Sequence, residues 1–297
     1  MNDERRGLAE VAGSAALFGT VGLLAKLAHD EHLSLTALLT GRFLIASAAL
    51  WIAVIAFRQT LPTWRVALAG LALGATGFSV SSALNFAAIE RMGAGMAALV
   101  GYSYPVLVTA GAVALGRERL SLRAVCALGI ALGGIALLVA GQGLGAIDST
   151  GAMFALASAL VYTAYVLIAS SLGDKVEALP FAALVATGAG AAFAVADLVR
   201  GPAGVSSTGG IVLILVFALV PTAFGFFAFL RGISRIGAPR ASIIGALEPA
   251  VAVLLGVFVL GETLRSLQLV GGALVIGAIV LLELRRERGG AQTPRTA

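Results

Sequence analysis

Apolar runs of about 20 residues recur along the whole chain, near 8–29, 34–57, 65–89, 93–115, 121–141, 149–171, 178–199, 209–230, 238–260 and 266–284. Short charged or Gly/Pro-bearing breaks divide them. A helix of that length crosses a hydrocarbon core of about 30 Å. In lipid every backbone polar group must be satisfied within the protein, which leaves helices as the spanning element. The pattern therefore predicts an all-α integral membrane protein with ten transmembrane helices. The charged lead-in MNDERRG precedes the first run, which lacks a small-residue cleavage site and reads as a retained, targeting helix. Pro105, Pro221 and Pro249 fall inside runs and predict irregular breaks there. Residues 285–297 are basic, then polar, and read as a disordered tail.

One stretch is written twice. Shifting residues 90–138 by 144 positions superposes Arg91, Gly93, Gly101, Pro105, Glu118, Leu120 and Gly133 on Arg235, Gly237, Gly245, Pro249, Glu262, Leu264 and Gly277 without a gap. Chance alignment of two Gly/Ala-rich stretches does not easily place a Pro, a Glu and several Gly at one offset. A membrane unit repeated in this way is a mark of transporters. Residues 1–144 and 145–284 are accordingly expected to be two five-helix repeats around a central cavity.

Composition narrows the class further. Apolar residues make up 59% of the chain and charged ones 12%, too few charges to cover a soluble domain. Mean hydropathy is +1.01. The net charge of +5 is spread over short loops and a tail, where it sets topology and forms no nucleic-acid patch. With the N-terminus inside, Arg and Lys fall fifteen to four in favour of the cytoplasmic side, so both termini are expected there. Arg117, Arg119 and Arg123 follow the fourth run, but only Arg265 occupies the matching loop after the ninth. Arg91 alone precedes the fourth run, whereas Arg231, Arg235 and Arg240 surround its counterpart. Opposite charge bias at matched positions predicts an inverted repeat.

Several polar side chains stand where lipid makes them costly. Glu248 is ten residues into the ninth run, roughly 15 Å from its end at about 1.5 Å per residue, hence near the midplane. It is a candidate for substrate binding; the competing role is packing, bonding carbonyls left open by Pro249. Arg42 could meet a substrate carboxylate, snorkel to the interface or cap neighbouring helices. Tyr102 and Tyr104 project about 200° apart, and Tyr162 and Tyr165 share a face. Each is read either as cavity lining or as helix packing. Thr20, Ser79, Ser82 and Asn85 offer hydroxyl and amide groups, for which interhelical hydrogen bonds are the commoner use. Gly129 and Gly133, with Ala273 and Gly277, read as close helix packing; a dimer contact along that stripe stays open. Trp51 and Trp64 fit interfacial anchors. Glu118 and Glu262 read as turn-fixing residues at span ends.

The stretch Leu247-Glu248-Pro249, followed by Leu260-Gly261-Glu262-Thr263-Leu264, resembles the second-half signature of the drug/metabolite transporter superfamily. Its ten-helix EamA-type members are the nearest likeness. Tyr104-Pro105-Val106 and Leu115-Gly116-Arg117-Glu118-Arg119-Leu120 fit a looser first-half version, with Tyr104 where a Glu would match Glu248. Arg42 also resembles a family position. The resemblance implies peripheral fifth and tenth helices, a central cavity, and export of small metabolites, amino acids among them.

Rival functions fare less well. No G-x-x-x-x-G-K-[ST] phosphate loop occurs, so no ATP motor is visible. A hydrolase would need a nucleophile with a His base, yet His29 and His32 share one loop, and Cys126 is the lone cysteine. No cofactor or metal is expected; the partners foreseen are a small-molecule substrate and the bilayer. Pro105 and Pro249 are read as hinges of an alternating-access cycle.

Overall fold

The computed structural model describes residues 3–119, 121–142, 148–172, 176–200, 207–261, 263 and 265–283. Leu120, Glu262, Leu264 and the 285–297 tail, all named above, lie outside them. Among the described residues every regular element is helical. Among the described residues nine helices are long and apolar enough to cross a membrane. They are α1 (Asp3–Ala28), α2 (Leu35–Ala56), α3 (Trp64–Gly93), α4 (Gly95–Ala114), α5 (Leu122–Ala140), α6 (Ser149–Leu172), α7 (Ala178–Val199), α8 (Thr208–Ile236) and α9 (Ala238–Val259). A further apolar helix, α10 (Ser266–Leu281), is shorter.

Four helices depart from regular geometry, and they do so in two matched ways. α3 passes through a π-helical stretch at Leu73–Phe78, and α8 through another at Ala218–Gly225, where Pro221 cannot donate its backbone hydrogen bond. α4 breaks at Tyr102 and resumes at Tyr104 with Pro105 in its first turn. α9 breaks at Ala246 and resumes at Leu247 with Glu248 in its first turn. Pro105 and Pro249 therefore sit where the helix has no backbone partner for their missing N–H, so neither weakens a ladder.

Close approach between helices depends on glycine. A Cβ at Gly74 in α3 would lie 2.0 Å from the Val185 carbonyl oxygen of α7, and one at Gly188 in α7 would lie 2.0 Å from that of Leu71. α5 packs along α10 in the same manner, with Gly134 and Gly271 each against the other's carbonyl oxygen. This corrects the sequence reading of the small-residue stripe. Gly129, Gly133 and Gly277 meet nothing within 4 Å and Ala273 is exposed; the packing glycines lie one position along or on another turn. A GxxxG spacing fixes that two small residues share a face, not which neighbour that face meets.

Elsewhere α2 lies against α7, α6 against the second half of α3, and α1 against α8 and α9. Trp51, half-buried near the end of α2, is part of the α2–α7 contact, its indole N–H donating to Thr187 Oγ1 at 3.0 Å. Trp64 is 70% exposed at the start of α3, as an interfacial anchor requires. Charged side chains fasten the ends. Glu10 of α1 accepts from Arg231 Nε at 3.1 Å and also from Arg235, while Glu4 accepts from Arg240 Nη1 at 2.7 Å.

Candidate functional site

The two helix breaks meet. Tyr102, Ala246 and Val253 belong to one buried cluster, against which Tyr104 and Leu247 also pack. Tyr104 Oη donates to the Ser242 carbonyl at 3.4 Å, one turn before the α9 break, and fills the space a Cβ at Gly245 would need. Glu248, two residues past that break, is half-buried rather than enclosed. The Tyr102, Tyr104 and Tyr162 hydroxyls stand within electrostatic reach of its carboxylate. Helix α1 comes up behind: a Cβ at Gly19 would lie 2.9 Å from the Glu248 carbonyl oxygen. No arginine or lysine is paired with Glu248 among the described residues.

From Tyr102 a continuous path of rings crosses the bundle. Tyr102 and Tyr104 centroids are 6.0 Å apart, Tyr104 and Tyr162 5.1 Å at 90°, and Tyr162 and Tyr165 5.7 Å. Phe78 stands at the hub. It meets Tyr165 at 5.6 Å, Phe226 at 5.0 Å and Phe43 at 5.5 Å, all edge to face. That geometry aims the positive ring edge at a negative face, contributing about 0.5–1.5 kcal/mol per pair beyond area burial. The irregular segments position these rings: Phe78 ends the π-helical stretch of α3 and Phe226 follows that of α8. Tyr165 is almost fully buried, and its hydroxyl has no hydrogen-bond partner among the described residues.

Arg42 lies at the far end of this path. Only 6% exposed, it donates from Nε to Thr222 Oγ1 at 3.2 Å, and Thr222 in turn donates to the Phe217 carbonyl of its own irregular turn. Its guanidinium carbon is 4.6 Å from the Phe43 ring centroid and 4.4 Å from that of Phe217. Two ring faces therefore offset the desolvation of a charge that has no carboxylate within pairing distance among the described residues.

The smaller polar candidates divide. Thr20 Oγ1 donates to Leu17 O of its own helix at 2.6 Å, and Ser79 Oγ bonds Ala75 O within its own π-helical turn. Ser82 and Asn85 are half-buried on the same helix. The interhelical hydroxyl bond lies one position from Ser82, at Ser81, which exchanges hydrogen bonds with Ser158 of α6. Glu118 is exposed in the loop that follows α4. Phe78, Phe226, Thr222, Phe43 and Phe217 were not singled out in the sequence. Pro221 and the close pair Gly74 and Gly77 were the available signal, since a helix that must bend at those points re-aims its neighbours.

The sequence model of the EamA-like transporter family matches the chain twice, over residues 5–140 and 149–284. An uncharacterized transporter of Archaeoglobus fulgidus is 30% identical over 280 residues, 93% of this chain and 96% of its own length. The uncharacterized transporter YcbK of Bacillus subtilis is 26% identical over 288 residues, 92% of this chain and 91% of its own. The threonine/homoserine exporter RhtA of Salmonella typhimurium is 27% identical over 253 residues, 82% of this chain and 79% of its own. One solved crystal structure superposes with a TM-score of 0.83 at 18% identity, covering 96% of this chain and 99% of that one, and so shares the fold.

Proposed function

Because the chain belongs to the EamA-like transporter family, we propose that it is a secondary transporter exporting small metabolites, with amino acids the leading class, by alternating access. It is a multi-pass membrane protein, which we place in the cytoplasmic (inner) membrane with both termini inside. In this reading α10 completes ten spans, and residues 1–144 and 145–284 are inverted five-helix repeats. Three observations support the repeat. The family match is double. Gly93 and Gly237 share one backbone conformation, φ 79° and ψ 160°. Arg91 pairs with Asp148 as its counterpart Arg235 pairs with Glu10.

The observation that carries the reading is Glu248: a carboxylate at a mid-span helix break, half-buried, walled by Tyr102, Tyr104 and Tyr162, and lacking a basic partner among the described residues. A group so placed is suited to an ammonium ion, which gains both the charge and the faces of the surrounding rings. The exporter RhtA among the relatives handles threonine and homoserine by name, both ammonium-bearing solutes. Arg42 is the proposed partner for the carboxylate end. To serve so it must release Thr222 and turn from between Phe43 and Phe217, a change suited to one half of a transport cycle. Tyr165, Thr20, Ser79, Ser82 and Asn85 are assigned to the same cavity with less direct support, and Pro105 and Pro249 to its hinges.

The test is a panel of radiolabelled amino acids and other metabolites in proteoliposomes, with and without a pH gradient. Concentrative flux of at least one ammonium-bearing solute is expected; failure with every such solute, alongside flux of anions, would reverse the assignment. Topology is tested separately. In a Cys126→Ser background, Leu120→Cys and Leu264→Cys should label from opposite faces of intact cells, and labelling from one face would end the inverted-repeat reading.

A further inference from the structure

A mostly apolar recess that shares no residue with the Glu248 site lies where α2, α7 and α8 meet. It is a cavity of about 310 Å³, walled by Ala37, Thr40, Gly41 and Ile45 of α2, Asp197 of α7, and Ile211, Ile214 and Leu215 of α8. Six of those eight are apolar. Asp197 Oδ1 and Thr40 Oγ1 are buried and have no hydrogen-bond partner among the described residues. An unmatched carboxylate oxygen and hydroxyl within one apolar recess are costly unless something occupies it, because each forfeits its hydration without compensation.

The position of the recess says how it is reached. Ile211 is 51% and Leu215 41% exposed, so the α8 wall is part of the lipid-facing surface and the mouth opens sideways into the bilayer. Its floor is closed, since Ile214 fills the space where a Cβ at Gly41 would lie, 2.8 Å away. Thr40 is in the second turn of α2 and Asp197 in the last turn of α7, so the polar end sits near one membrane face and the apolar walls run inward. Arg42 is two residues from Thr40, about 200° around the helix, and is engaged by Thr222, so it does not neutralise Asp197. No cationic side chain lines the cavity among the described residues.

We infer that this recess binds an amphiphilic organic cation from within the bilayer, its ammonium head on Asp197 and Thr40 and its apolar body along Ile45, Ile211, Ile214 and Leu215. The chemistry discriminates. An anion meets only an acceptor carboxylate. A zwitterionic phospholipid would bring a phosphate for which the lining has no donor beyond one hydroxyl. A monocation with an alkyl body satisfies each wall, and the volume matches the lower end of small-molecule sites, about 300 Å³. The site is separate from the Glu248 centre and does not depend on the transport reading.

The experiment uses the whole chain in nanodiscs of phosphatidylcholine and phosphatidylglycerol, which contain no primary amine. Radiolabelled dodecylammonium is titrated, with dodecanol and dodecanoate as neutral and anionic competitors. Saturable binding above protein-free nanodiscs is expected, weakened about tenfold or more by Asp197→Asn, the scale of a lost charge-assisted contact. It should persist in Glu248→Gln and resist both competitors. Ile211→Trp, on the exposed rim, should block it by filling the mouth, and serves as the test if Asp197→Asn does not fold. Binding unchanged by Asp197→Asn, or retained in a folded Ile211→Trp, overturns the proposal. Loss in Glu248→Gln alone would move the cation to the central site, and displacement by phosphatidylethanolamine at equal mole fraction would give the recess to bulk lipid; either result overturns it as well.

Discussion

The two broken helices, α4 and α9, share a backbone and differ in chemistry. Each is preceded by a glycine at φ 79° and ψ 160°, Gly93 and Gly237, and each breaks at the same relative position, Tyr102 (φ −68°, ψ 7°) and Ala246 (φ −61°, ψ −8°). Each resumes around a matched proline. The side chains then diverge. Tyr102 and Tyr104 of α4 stand opposite Ala246 and Glu248 of α9, so one break supplies rings and a hydroxyl while the other supplies a carboxylate. On the repeat we propose, divergence has kept what bends the helix and changed the side chains that stand beside the break. An asymmetric solute can then be held by a symmetric frame.

The largest effect expected of this comparison is at its point of divergence. Glu248→Gln keeps the shape and removes the charge, and should weaken binding of an ammonium-bearing solute by about 1.5–3 kcal/mol, the scale of a hydrogen bond to a charged group. Tyr104→Phe, at the matched position, should cost far less, since the Tyr104 hydroxyl is engaged by the Ser242 carbonyl and not by Glu248. The measurement is binding of an amino acid, its amide and its deaminated acid to purified protein. If Glu248→Gln weakens the deaminated acid as much as the parent, Glu248 does not hold the ammonium and its role is packing beside Pro249.

How much of this could be read from the sequence follows from the same residues. Hydropathy located the nine helices long enough to span, most ends within a few residues, because helix length and apolarity are local properties, while the tenth run gives the shorter α10. The exception is instructive: α3 and α8 run on to Gly93 and Ile236, past charged residues that the apolar runs excluded. Those charges are tolerated because Arg91 has Asp148, and Arg231 and Arg235 share Glu10. Glu248 was found because a carboxylate in an apolar run is conspicuous by itself. Phe78, Phe226 and Thr222 were not, since an aromatic or a threonine in a membrane helix is unremarkable until a π-helical turn aims it. Likewise Ser81 rather than Ser82 reaches Ser158. The polar stripe was visible, but its spacing fixes only that the residues share a face, not which neighbouring helix that face meets.

A mid-sized effect tests the shared frame. At φ 79° and ψ 160° an L-residue is strained whatever room its side chain has, by about 1–3 kcal/mol. A Cβ at Gly93 would meet nothing within 4 Å, and one at Gly237 only Glu118 Oε1 at 3.9 Å, so neither site adds a clash. Gly93→Ala and Gly237→Ala should therefore lower thermal stability by similar amounts in detergent. A much larger loss at one of them would show that the frames are not equivalent.

The smallest stability effect, and the sharpest contrast with transport, belongs to the prolines. Pro105 and Pro249 lie in the first turn after their breaks, where a helix has no carbonyl partner for a backbone N–H. Replacing either by alanine removes no intrahelical bond and opens no large cavity, so folded yield and melting temperature should change little. What alanine restores is the freedom to continue the helix through Tyr102–Ser103 or through Ala246. If the breaks are the hinges of alternating access, one opening as the other straightens, each single variant biases the cycle toward a different end. Both should then slow transport a few-fold while binding at Glu248 survives, and the double variant should recover part of the loss because the opposing biases cancel. The readout is initial rate in proteoliposomes beside equilibrium binding on the same preparations. Transport at the wild-type rate in both single variants and the double would mean that the breaks merely place Tyr102 and Glu248, and that the moving parts lie elsewhere.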